Sequence, residues 1–125
     1  MTEKKKIQSF TDLETWKESH KLVIMIYQIS KKFPKEELFA LTSQIRRAAI
    51  SITSNIAEGF SRNTLKDKTQ FYCISLGSLT EIQSQLMIAR DLKYISLNDF
   101  EQLVDQSVRV QKLIKGLSKS AMSHT

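Results

Sequence analysis

The residue types that carry most protein chemistry are scarce in this chain. Histidine occurs twice, as His20 and His124, and cysteine once, as Cys73. His20 falls on an apolar stripe, which favours a buried, hydrogen-bonded imidazole over a metal ligand or a general base. His124 stands in a small, polar C-terminal stretch with no partner near it in sequence. Metal centres in helical bundles use Glu-x-x-His pairs on facing helices, and no such pair occurs. A thiolate zinc site needs more than one cysteine. Cys73 lies among Ser75, Gly77 and Ser78 with no adjacent histidine, so it reads as a structural thiol at a helix crossing rather than a nucleophile. There is no glycine-rich phosphate loop and no nucleophile elbow. The arginine-then-histidine spacing of some helical-bundle ribonucleases is missing as well. These residues predict no catalytic centre, no metal and no cofactor.

Cations are the remaining chemistry. Lysine and arginine outnumber aspartate and glutamate by 19 to 13, for a net charge of +6 and a pI of about 9.5. A basic balance favours polyanions, because each neutralised phosphate releases counterions. Arg46 and Arg47 form the sharpest pair. Arg62, Lys66 and Lys68 crowd a turn further on, and Arg90 and Lys93 follow at a distance. Two readings of Arg46, Arg47, Arg62, Lys66 and Lys68 stand side by side: a solvated face with ion pairs, or a surface that contacts the phosphates of RNA or DNA. No aromatic residue stands clearly beside them in sequence, so base stacking is not expected there. Residues 1–9, with Lys4-Lys5-Lys6, read as a basic N-terminal arm.

The elements that must position these cations are helices. The 125 residues include one proline and three glycines, and 41% are hydrophobic. That is one domain with enough apolar material for a core, and few breakers of long helices. No run reaches the ~20 apolar residues of a membrane span, and the N-terminus lacks the apolar stretch of a secretory signal. The lone cysteine fits a reducing cytoplasm.

The first helix opens at Thr11-Asp12-Leu13-Glu14, a capping-box pattern, and ends at Pro34. Leu13, Trp16, His20, Val23, Ile24 and Tyr27 form one stripe; Leu22, Ile26, Ile29 and Phe33 form another. Together they span more than the ~100° that a surface helix of a monomer buries. The spacing therefore predicts that one stripe fills the core while Leu22, Ile26 and Ile29 meet a second subunit.

The second helix is expected from about Glu36 to Ala57, with Gly59 just beyond its end. Its apolar row is Leu41, Ile45, Ala48, Ile52 and Ile56. The third starts at the Thr64 cap and carries Phe71, Ser75, Ser78, Ile82, Leu86 and Ala89. Small residues on both, Ala48, Ala49 and Ser51 against Cys73, Ser75, Gly77 and Ser78, predict a close crossing. The fourth opens at Ser96, with Ile95 and Phe100 as a hydrophobic staple, and runs along Leu103, Val104, Ser107, Val110, Ile114 and Leu117. Residues 118–125 read as a flexible tail. Short connections make neighbours antiparallel, so residues 10–117 are predicted to form an all-α, up-down-up-down four-helix bundle.

Several segments resemble one family. They are Phe10-Thr11-Asp12-Leu13-Glu14-Thr15-Trp16, Lys32-Phe33-Pro34, Leu41-Thr42-Ser43-Gln44-Ile45-Arg46-Arg47-Ala48, Ser54-Asn55-Ile56-Ala57-Glu58-Gly59-Phe60 and Gly77-Ser78-Leu79-Thr80-Glu81. Together they are similar to the 23S ribosomal RNA intervening-sequence proteins, over about Phe10 to Leu117. Thr53 stands where many members have proline, which implies a straighter second helix. The resemblance implies a left-handed up-and-down bundle and a ring-shaped homo-oligomer, typically a pentamer. A distant relative, the accessory protein of diversity-generating retroelements, binds nucleic acid and a reverse transcriptase. The resemblance supplies no active site. Two functions follow as expectations: a non-enzymatic, oligomeric, nucleic-acid-associated protein, or an oligomeric adaptor for another protein with no nucleic-acid role.

Overall fold

The computed structural model describes residues 6–123 and is helical over most of them. Four long helices follow in order: α1 Glu14–Ser30, α2 Leu41–Ser61, α3 Leu65–Asp91 and α4 Leu97–Ser123. Single 3-10 turns precede α1 at Phe10–Asp12 and α2 at Lys35–Glu37. Each helix packs on its two neighbours in cyclic order, α1 on α2, α2 on α3, α3 on α4 and α4 back on α1. The result is an antiparallel four-helix bundle in which α1 and α3 lie across from each other.

Local chemistry sets the helix ends. Ser9 and Asp12 form the reciprocal capping box on the 3-10 turn, two residues earlier than the sequence pattern at Thr11 suggests. Leu13 then opens α1. Thr64 accepts from the Asp67 amide at 3.2 Å, and Ser96 accepts from the Asp99 amide at 3.0 Å, so both expected caps form. Helix α2 begins later and ends later than expected. The 3-10 turn consumes Glu36, and Gly59 sits inside the last turn with Arg62 as the C-cap. Helix α4 runs to Ser123, six residues past the expected end at Leu117. Lys4, Lys5 and His124 lie outside the described residues.

The core is aliphatic. Leu22, Ile26, Ile45, Ile52, Ile56, Ile82, Leu86, Val110 and Ile114 are all fully buried. Each contributes roughly 1.5–3 kcal/mol relative to an exposed position. This corrects one expectation. Leu22 and Ile26 are fully buried and Ile29 is 7% exposed, all inside the single bundle, so none is available to another subunit. The outward member of α1 is Ile24 from the other stripe, 45% exposed. His20 is likewise on the surface, not buried, with its ring stacked on Trp16 at 4.8 Å.

The close crossing of α2 and α3 is present, but it involves fewer residues than expected. Ser75 Oγ donates to the Ile52 carbonyl at 2.9 Å, and Ser78 Oγ donates to Ser51 Oγ at 2.8 Å. Ala48 and Ala49 are buried beside them. Gly77 and Cys73 face solvent instead, and a Cβ on Gly77 would meet nothing within 4 Å. The tight glycine is Gly59, whose added Cβ would lie 2.6 Å from Tyr72 Cε1.

Candidate nucleic-acid interface

The five cations fall into two groups at opposite ends of α2. Arg46 and Arg47 sit in its second turn; Arg62 caps its C-terminus, with Lys66 and Lys68 in the first turn of α3. Fifteen residues of helix separate Arg47 from Arg62, about 22 Å at ~1.5 Å per residue. The structure brings Arg62, Lys66 and Lys68 together, and keeps the arginine pair apart from them.

Their partners differ as well. Arg46 Nε donates to Ser30 Oγ at 2.8 Å, and its guanidinium lies 4.8 Å from the Tyr27 ring centre. It therefore fastens α2 to α1 through a hydrogen bond and a cation–π contact. Lys68 Nζ donates to the carbonyls of Gly59 at 3.2 Å and Phe60 at 2.9 Å. That is a cation on the negative end of α2, satisfying carbonyls the helix leaves open. Arg62 pairs with Glu58 at 3.2 Å and lies over the Phe71 ring at 4.8 Å. The pair is exposed, so it adds little stability and yields readily to another anion. Arg47 and Lys66 are exposed and enter no ion pair among the described residues. Of the five, these two are the most available to phosphate.

Sequence reasoning missed two surface features. One is an apolar patch at the start of α2. Phe39 is 93% exposed, and with Leu38, Ile50 and Tyr27 it lines a shallow groove beside Arg46 and Arg47. The three residues Leu38, Phe39 and Ala40 bridge the 3-10 turn and α2, which is why Phe39 escapes the helix packing. The other is the outward side of α3. Ile74, Met87, Ile88 and Leu92 are all about half exposed. Between Lys68 and Arg90 the only charge is Glu81, a signal visible in the sequence.

Among the described residues, no group of three His, Cys, Asp or Glu side chains is placed to hold a metal. Two tyrosine phenols are shifted by their surroundings. Burial raises the Tyr72 phenol above its ordinary value, and burial together with Glu37 raises that of Tyr94. Arg90 and Asp91, hydrogen-bonded at 2.8 Å, hold each other charged at the surface. No described helix is long and apolar enough to cross a membrane.

Fold and surface together define an all-α four-helix bundle with exposed cations and exposed apolar patches. The model of the 23S rRNA-intervening sequence protein family matches residues 11–116, and the chain belongs to that family. A solved structure of a protein of unknown function from the S23 ribosomal protein family of Bacteroides thetaiotaomicron is similar in fold. Its TM-score is 0.77 and its identity 24%, over 84% of this chain and 95% of that one. No curated protein sequence matches.

Proposed function

We propose that this protein is a non-enzymatic assembly module whose copies join through the outward face of α3 and together contact the phosphates of RNA or DNA. The observation that carries the reading is the makeup of that face. That side is mixed, with Thr80, Glu81 and Ser84 exposed among its apolar side chains, yet large apolar residues left in water on a packed helix call for a partner. On the outward side, Ile74, Met87 and Ile88 are 44%, 49% and 46% exposed, and Gly77 leaves room for a second backbone to come close. The Phe39 patch offers a different surface for the neighbouring copy. Two unlike patches on one chain suit head-to-tail contacts, which close into a ring. The family resemblance favours five copies.

Each copy would add Arg47, Lys66 and the loosely held Arg62 to a net charge of +6. Repetition around a ring turns weak phosphate contacts into useful affinity. The family description, an intervening sequence of 23S rRNA, makes RNA the first polyanion to try. A lone thiol, exposed at Cys73, accords with a cytoplasmic setting.

The adaptor reading keeps one specific support. Arg46 and Lys68 are engaged within the fold, which thins the cationic surface and leaves the apolar patches more prominent. A partner protein such as a reverse transcriptase would then occupy the assembly.

A salt-dependent titration with RNA and DNA tests the proposal, on the wild type and on Ile74→Glu/Ile88→Glu. The wild type is expected to bind with a steep fall in affinity as salt rises, and the double variant to bind much more weakly. Absence of wild-type binding at low salt removes the nucleic-acid half and leaves the adaptor.

A further inference from the structure

The only tryptophan of the chain, Trp16, is the middle ring of an aromatic trio. Phe10 meets its ring edge-on at 5.3 Å and 66°. His20, one turn further along α1, lies nearly parallel to it at 4.8 Å and 17°. Trp16 is half-buried, held against the core, while His20 is exposed. The imidazole therefore has a stacking partner on one side and stays exposed at the surface. An isolated surface histidine samples several rotamers; this one is backed by a rigid ring.

Lys17 and Lys21 follow the two ring residues directly, about 100° further round the helix. Both are exposed, and neither enters an ion pair among the described residues. The acidic neighbours on the helix are Glu14, which is exposed, and Glu18, which is bonded to Gln106 and Arg109 of α4. The local arrangement is thus a flat, pre-positioned aromatic face with two uncommitted cations at its edge. That combination suits a nucleobase on the ring with its flanking phosphates on the ammonium groups. Trp16 lies eleven residues before Tyr27, about 16 Å of helix, so the platform sits at the other end of α1 from the Phe39 patch.

We propose that Trp16 and His20 form a stacking platform for an unpaired base of single-stranded nucleic acid, with Lys17 and Lys21 on the adjacent phosphates. The proposal rests on the nucleic-acid reading above and specifies strand state: a base paired in a duplex cannot reach the ring, so the platform serves single strands. It also adds base stacking to a surface whose other cations offer only phosphate contact.

Trp16 is its own reporter. Short single-stranded oligo(A) RNA and an RNA duplex of equal length are titrated into the full chain, following Trp16 emission and the anisotropy of labelled RNA together. Single strands are expected to change Trp16 emission with the same midpoint as the anisotropy, and the duplex to leave emission unchanged. His20→Leu removes the flat ring without adding a charge and leaves an aliphatic cover over Trp16, so it is expected to lower single-strand affinity about tenfold, in the range of one lost base stack. His20→Phe is expected to retain it. Single-strand binding with unchanged emission and an unaffected His20→Leu variant overturns the platform while the nucleic-acid reading stands. No anisotropy change with either RNA overturns both.

Discussion

Replacing Gly59 with alanine separates two opposing terms that the structure makes unequal. Gly59 lies inside the last turn of α2, so an added methyl improves helix propensity by about 1 kcal/mol. The same methyl would sit 2.6 Å from Tyr72 Cε1, 2.9 Å from Cδ1 and 3.1 Å from Phe71 Cβ. Ordinary carbon–carbon contact begins near ~3.5 Å, so the overlap approaches 1 Å. The ring cannot swing aside cheaply, because Tyr72 is 2% exposed and packed in the core. Overpacking of this kind costs typically ~1–3 kcal/mol. The expected net effect is a loss of up to about 2 kcal/mol, or a Tm lower by up to ~8 °C for a chain of this size. Gly116 supplies the control: it also lies within a helix, and its Cβ would meet nothing within 4 Å. Gly116→Ala is expected to raise Tm by up to about 4 °C. Thermal melts by circular dichroism, with urea midpoints beside them, measure both. If Gly59→Ala gains as much as Gly116→Ala, the close approach of α2 to the Tyr72 ring is wrong.

Ala48→Leu, at a position 4% exposed, is expected to lose roughly 1–3 kcal/mol, whereas Gly77→Leu, in open space on α3, is expected to gain about 0.5–1 kcal/mol of helix propensity; urea unfolding distinguishes them. Lys68→Ala is expected to cost about 1 kcal/mol of stability through the exposed ends of α2, with little change in nucleic-acid affinity. Arg47→Ala with Lys66→Ala does the reverse, keeping the melt and flattening the log-affinity against log-salt slope by ~0.7–0.9 per lost phosphate contact. The raised pKa of Tyr72 means that the folded chain holds its phenol proton more tightly than the unfolded one. Its contribution is present below the unfolded value near ~10 and is lost as pH rises through the folded value. Tyr72→Phe should therefore lose less stability between neutral and strongly alkaline pH than the wild type, as read from Tm against pH.

The periodicity of the sequence specified four helices because each carries apolar residues three and four apart, and polar caps mark the starts of α3 and α4. Thr64 and Ser96 act as their sequence context suggests. What periodicity could not decide is which of two equally apolar stripes faces inward. On α1 both stripes are rich in Leu, Ile and Val; the bundle centre takes Leu22, Ile26 and Ile29 and leaves Ile24 and His20 outside. The excess apolar surface belongs to α3, where it shows in the sequence as a near absence of charge. The roles of the cations depended on a helix boundary. Extending α2 from Ala57 to Ser61 carries the carbonyls of Gly59 and Phe60 within reach of Lys68, which turns a candidate phosphate contact into a cap. Arg46 needs the tertiary approach of Ser30 and Tyr27, which no spacing within α2 reveals.

Assembly through α3 is most directly tested by the mass in solution. Light scattering on the wild type at micromolar concentration is expected to give a multiple of the 14.4 kDa chain, five-fold for the ring. Ile74→Glu/Ile88→Glu is expected to give a folded monomer, with the helical circular-dichroism spectrum retained, because both side chains point away from the core. A wild-type mass of 14.4 kDa would contradict the assembly account, and so would a double variant that keeps the wild-type mass.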